Sequence, residues 1–192
     1  NARLQSIAEP LKTGYFKYDY DGLRITNIEW VNDKINGYIK IYQLPNTPAV
    51  TKYCIGGDTA GEGSDWYTGH VLDAKTGVQV ARLKHKFGAD QYARQMYCLG
   101  MYYKEALIGI EANFDTYPIM ELQRLGYPNQ YIREKFDEFT GKLEKRFGFK
   151  TTKLTRPIII SRLIEIVREH TEKINDKETL EEIRNQDFVD KS

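Results

Sequence analysis

Residues 52–85 read KYCIGGDTAGEGSDWYTGHVLDAKTGVQVARLKH, and the hydrophobic pattern of this stretch decides the architecture. Residues 52–58 (KYCIGGD) form a short apolar run that ends in a carboxylate, Asp58. A glycine-rich turn leads into residues 67–73 (YTGHVLD), and Thr76-Gly77 turns the chain into residues 78–85 (VQVARLKH). Short runs of this kind separated by Gly-bearing turns are hairpin strands. The stretch predicts a three-stranded meander.

Downstream, Asp90 is placed to cap a helix running to about Tyr103, with Tyr92, Met96, Leu99 and Tyr103 on one face. Residues 107–111 (LIGIE) read as a fully buried strand that again ends in a carboxylate, Glu111. Asp115 can cap a helix through Leu125, with Pro118 tolerated in its first turn. A short strand is expected near residues 130–133. A long helix is expected over residues 155–170, carrying Ile159, Leu163, Ile166 and Val167 on one side. Upstream, residues 37–43 (GYIKIYQ) alternate as a half-buried strand does, and Pro45 and Pro48 end it. Residues 1–35 are the least regular. Tyr15, Phe16, Tyr18 and Tyr20 suggest an extended arm there, its aromatics serving packing rather than base stacking. The element order predicts an α/β fold: a mixed sheet, built from the antiparallel meander plus parallel strands, flanked by helices.

A chain of 192 residues, 41% apolar and 29% charged, suits one soluble globular domain with a sizeable core. No apolar run approaches the ~20 residues of a membrane span, and no signal-peptide pattern opens the chain. Cys54 and Cys98 sit in apolar segments and read as reduced thiols of a cytosolic protein. Three histidines with so few thiols cannot build a zinc site, so any metal is held by oxygen, and Mg2+ or Mn2+ comes first. The net charge is only +1, yet it is unevenly spread. Between Gly141 and Arg156 stand Lys142, Lys145, Arg146, Lys150, Lys153 and Arg156 against Glu144 alone, interleaved with Phe147 and Phe149. Such a segment suits sequence-independent phosphate contacts, and equally a solvated lysine-rich loop.

Asp58 and Glu111 carry the chemistry. Ligands of open α/β sheets bind in the crevice at the strand ends. The first meander strand and the strand after the first helix are plausible neighbours. Two carboxylates facing each other there require a shared proton or a cation between them. Two metal ions about 3.5–4 Å apart can activate a water and stabilise the leaving oxygen in phosphodiester cleavage. Asp65, at the start of the second strand, is a candidate secondary ligand. Taken singly, Asp58 also reads as a turn former and Asp65 as a strand-entry residue; the pair of strand-end acids favours a site.

At these residues the chain resembles a known family. The stretch quoted above resembles the first nuclease motif of tailed-phage (or prophage) large terminase subunits: an aspartate ending strand one, a small-residue turn, then an Asp before strand two. ALIGIEANFDTYPIMELQRLGYPNQY (residues 106–131) looks like the second motif. FGFKTTKLTRPIIISRLIEIVRE (147–169) is similar to the family's Gly-aromatic-x-Thr segment and Thr-Arg-Pro-led helix, and DKETLEEI (176–183) to its Asp-x-x-Thr-Leu-x-Glu stretch. The resemblance implies a ribonuclease H-like nuclease that cuts concatemeric double-stranded DNA during genome packaging. It implies Asp58 and Glu111 as metal ligands, Asp65 as an auxiliary acid, and Mg2+ or Mn2+ as cofactor. It also implies portal protein and small terminase subunit as partners, and the host bacterial cytoplasm as the location. The family's third acid, in a His-Asp-Asp motif, is expected beyond residue 192; Asp187 and Asp190 come too early for it. This reads residues 36–192 as a nuclease domain truncated at its C-terminus. No P-loop occurs, so residues 1–35 read as the linker from an absent ATPase domain. Two other readings stay open: a phosphotransferase of the actin and sugar-kinase type, and a non-catalytic DNA-docking or interaction module.

Overall fold

The computed structural model describes residues 6, 7, 9–46, 52–59, 66–86, 88–137 and 141–189. Along the chain run β1 (Lys12–Tyr20), β2 (Ile25–Asn32), β3 (Ile39–Ile41), β4 (Tyr53–Asp58), β5 (Tyr67–Asp73), β6 (Gln79–His85), α1 (Ala89–Tyr102), β7 (Leu107–Ile110), α2 (Tyr117–Arg124), β8 (Ile132–Asp137), β9 (Lys142–Phe147), α3 (Thr155–Glu169) and α4 (Lys177–Val189). Seven strands form one sheet in the order β2-β1-β3-β6-β5-β4-β7, and β8-β9 form a separate ribbon.

The expected meander is present: β4, β5 and β6 pair antiparallel, and β4 also pairs parallel with β7. One face of this sheet is the core. Tyr92, Met96, Leu99 and Tyr103, the helical stripe read from the sequence, are all fully buried beside Ile55, Val71, Leu83, Ile108 and Ile110. The approach is close enough to require a glycine: a Cβ on Gly57 would lie 2.4 Å from the Tyr92 hydroxyl, which donates to the Thr68 carbonyl at 2.7 Å. Residues of opposite parity, Cys54, Gly56 and Asp58 on β4 and Thr68, His70 and Leu72 on β5, face the other way.

Several expectations need correction. Residues 12–32 are extended, but as a hairpin hydrogen-bonded through β1 to β3, so the sheet begins before residue 36. The pairing is long-range and has no local signature. The aromatics do pack: Phe16 lies edge-on to Trp30 at 5.1 Å, Tyr15 stacks on Tyr38, and Arg94 sits 4.0 Å over the Tyr20 ring. Gly88, not Asp90, is the N-cap of α1, with Asp90 in the first turn. Thr116, not Asp115, is the N-cap of α2, although Asp115 accepts the Tyr117 N–H at 2.8 Å. The strand expected near 130–133 is split. The Tyr131 N–H donates to the Ile108 carbonyl and the Phe149 N–H to the Ile110 carbonyl, while β8 and β9 leave the edge as a separate ribbon. The Gly148 N–H rejoins the Tyr131 carbonyl, at φ +84° and with a would-be Cβ 2.4 Å from Ile119, so only glycine fits the return.

The C-terminal part covers the second face. No residue of α3 is buried, and its Ile159, Leu163 and Ile166 overhang a cavity above Asp58, Thr68 and His70. α4 is fixed by the DKETLEEI stretch. Asp176, fully buried, accepts from the Tyr42 hydroxyl (2.6 Å) and from the Thr179 N–H (2.9 Å) and hydroxyl (2.8 Å), and lies 3.2 Å from Arg82 Nε. Leu180 is buried, while Glu178 and Glu182 pair with Arg82 and Lys84.

Candidate active site

Parallel pairing brings the two strand-end acids together. Gly57 is in register with Ile110, and the Glu111 N–H donates to the Gly57 carbonyl at 2.8 Å, so Asp58 and Glu111 stand on neighbouring strands at the same level. Neighbouring strands are about 4.8 Å apart. Parity sends both side chains to the face opposite α1, and both line one cavity of about 540 Å³. Its floor is made of Gly56 and Gly109, its walls of Thr68, His70, Tyr131, Phe149 and Thr151. A Cβ at Gly56 would meet nothing within 4 Å, so the floor beside the acids is open.

Thr68 and His70 were not singled out by the sequence reading. The signal was available: once β4 and β5 are a hairpin, the residues opposite Asp58 and Gly56 are Thr68 and His70. Gln79 Nε2 lies 3.0 Å from His70 Nδ1. The Gln79 Oε1 already accepts the Asn175 and Asp176 N–H groups, so its amide NH2 faces the ring. Burial, reinforced by Arg82, pushes the His70 pKa down against the pull of Asp176 and Glu182. The imidazole is therefore neutral, with its proton on Nε2.

Asp65 lies outside the described residues. Among those described, no group of three or more His, Cys, Asp or Glu side chains is placed to hold a metal, and Asp58 and Glu111 are the two acids that line the cavity. The six cations expected to hold DNA are spread over three elements. Lys142, Lys145 and Arg146 belong to β9, Lys150 and Lys153 to the following loop, and Arg156 to the first turn of α3. All six are exposed, and Arg146 is paired with Glu144 at 2.8 Å. Phe149 turns inward to the cavity and lies 6.3 Å from the Tyr131 ring.

Among solved structures, the large terminase nuclease from thermophilic phage G20c with bound magnesium matches with a TM-score of 0.58 and 18% identity, over 79% of this chain and 72% of that one. The chain has the fold of a large terminase nuclease. The zinc-bound form of the G20c nuclease matches over 96% of this chain and 88% of that one, with a TM-score of 0.54 and 17% identity. The Thermus phage P74-26 large terminase nuclease domain does so over 78% and 68%, with a TM-score of 0.54 and 21% identity. No protein-family profile and no curated protein matches the sequence. The ribonuclease H-like α/β fold class expected from the sequence is that of these nucleases, and the acids at the ends of β4 and β7 lie within it. Among the described residues, no helix is long and apolar enough to cross a membrane.

Proposed function

We propose that this chain is a divalent-metal-dependent DNA endonuclease domain of a phage large terminase, cutting concatemeric double-stranded DNA during genome packaging. The observation that carries the reading is the pairing of β4 with β7, which aligns Asp58 and Glu111 at the lip of one cavity in a terminase-nuclease fold. Both are hard oxygen donors, the chemistry that Mg2+ and Mn2+ prefer. When bound, a pair of such ions supplies Lewis acidity to the scissile phosphate and its leaving oxygen. Asp58 and Glu111 would hold it, with Asp65 as a secondary ligand. The open glycine floor admits a phosphodiester, and the neutral His70 offers an Nε2–H donor beside it. Lys142, Lys145, Arg146, Lys150, Lys153 and Arg156 would hold the duplex by its phosphates, giving affinity without sequence reading. Portal protein and small terminase subunit are the partners of this role, and the host bacterial cytoplasm its location.

The test is plasmid nicking and linearisation with Mg2+ or Mn2+. Asp58→Ala and Glu111→Ala should each abolish cleavage while leaving the far-UV circular dichroism unchanged; cleavage undiminished in both would sink the assignment. A second reading, a non-catalytic DNA-docking module, is favoured by the presence of only two assembled acids among the described residues. It predicts DNA binding without cleavage, and at most one weakly bound Mn2+ by calorimetry.

A further inference from the structure

Next to the two acids, on the same sheet face, lies a second cavity of about 500 Å³. Its lining includes Lys40, Arg82, Lys84 and His85, with Glu178 as the sole carboxylate among its lining residues, and Trp66 forms one wall. Trp66 is 48% exposed, unusual for so large an apolar ring, and two ammonium groups sit over it. Lys84 Nζ is 5.4 Å and Lys86 Nζ 5.2 Å from the ring centroid. Lys84, its side chain only 15% exposed, also pairs with Glu178 and Glu182 of α4, whereas Lys86 is exposed and has no carboxylate partner among the described residues.

The register ties this cavity to the acids. Thr68 is opposite Asp58 on one side and Lys84 on the other, so the three form a row across β4, β5 and β6. At about 4.8 Å per strand, Asp58 and Lys84 are roughly 10 Å apart, the axial rise of about three nucleotides of one DNA strand. Trp66 stands beside that row. An aromatic face flanked by ammonium groups is the arrangement that takes an unpaired nucleotide, base against ring and phosphate against lysine. A paired base in a duplex hides both of its faces in the stack and cannot do this.

We propose that the Trp66–Lys84–Lys86 cavity binds an unpaired nucleotide of the DNA strand that runs from the Asp58–Glu111 site, with its base stacked on Trp66. The strand's course rests on the nuclease reading; the nucleotide site itself does not.

The experiment measures binding of the 192-residue chain to a fluorescein-labelled single-stranded oligonucleotide and to a blunt duplex, in EDTA so that nothing is cut. Trp66→Ala should weaken single-strand binding roughly 10-fold and leave duplex binding unchanged, whereas Trp66→Phe should restore most of the loss. Lys86→Ala should flatten the dependence of log affinity on log salt by about 0.7. Quenching of tryptophan fluorescence by the single strand should disappear in Trp66→Phe, although Trp30 remains. Single-strand affinity that ignores Trp66→Ala, or an equal loss on the duplex, overturns the proposal, and neither result touches plasmid cleavage. Conversely, Trp66-dependent binding by a chain that holds no Mn2+ between Asp58 and Glu111 leaves this site standing and removes the nuclease reading.

Discussion

Replacing Asp176 with alanine should release α4 from the sheet. Asp176 is fully buried, accepts from three donors (the Tyr42 hydroxyl and the Thr179 N–H and hydroxyl) and lies against the Arg82 guanidinium. Arg82 Nε lies 3.2 Å from the carboxylate yet makes no aligned hydrogen bond, so that contact is charge attraction rather than a directed bond. Removing one partner of a buried pair typically costs about 3–5 kcal/mol, and losing an N-cap about 0.5–2 kcal/mol. Glu178 still accepts from Arg82 Nη1 at 3.0 Å, so the guanidinium is not stranded and the total should stay near the lower end, about 3–4 kcal/mol. Asp176→Asn can keep the Thr179 cap on its one oxygen but turns an NH2 toward the Tyr42 hydroxyl and loses the charge, so it should cost less than alanine, about half as much. The assay is amide hydrogen exchange over residues 177–185. A loss of about 3 kcal/mol of local stability accelerates exchange roughly 100-fold in the alanine variant, with the asparagine variant between it and the parent. Unchanged α4 protection in Asp176→Ala, or a larger effect from asparagine than from alanine, would refute the latch.

Gly57→Ala should destabilise the fold by about 1–3 kcal/mol in urea titration, because the new methyl collides with the Tyr92 hydroxyl and the side chains of Met96 and Ile110. Acid should weaken the α4 face in two windows. Burial works against the Glu178 charge, but Arg82 and then Lys40 outweigh it and hold the carboxyl at about 2, below its ordinary 4.5. A depressed carboxyl contributes stability that is present above pH 4.5 and is lost as the pH falls toward 2. The His70 pKa lies below 6.5, chiefly through burial, so stability also falls as the pH drops below 6.5 and the unfolded imidazole takes up its proton. Urea midpoints recorded from pH 8 to 3 read both windows, and histidine NMR should show one ring titrating below 6.5 as the Nε2–H tautomer. The combined variant Lys142→Ala, Lys145→Ala, Arg146→Ala should lower duplex affinity and flatten its salt dependence by up to about 2.7; an unaltered slope would place the duplex elsewhere.

What the sequence made legible follows the range of each signal. The β4–β5–β6 meander and the α1 stripe rest on period-two and period-3.6 patterns with turn residues at their ends, and they are found where the patterns lie. The β4–β7 neighbourhood runs against sequence adjacency, which would set β7 beside β6; what pointed to it was the matching carboxylate at the end of each strand. The β1–β3 pairing, by contrast, is a matter of tertiary register, and nothing local in KTGYFKYDY distinguishes a sheet strand from an arm. The β8–β9 ribbon was missed because it interrupts an edge strand that the chain resumes at Gly148. In the site, Asp58 and Glu111 stood out because charge is unusual at the end of a buried strand. Thr68, His70 and Trp66 carry no such mark, and only the register of β5 against β4 and β6 gives them a role.

The central claim is that Asp58 and Glu111 share a divalent cation. Anomalous scattering from crystals soaked in manganese tests it most directly. The account predicts a manganese peak between the two carboxylates, lost in Asp58→Asn and in Glu111→Gln crystals. A peak held by other residues, or density that survives both substitutions, would contradict it.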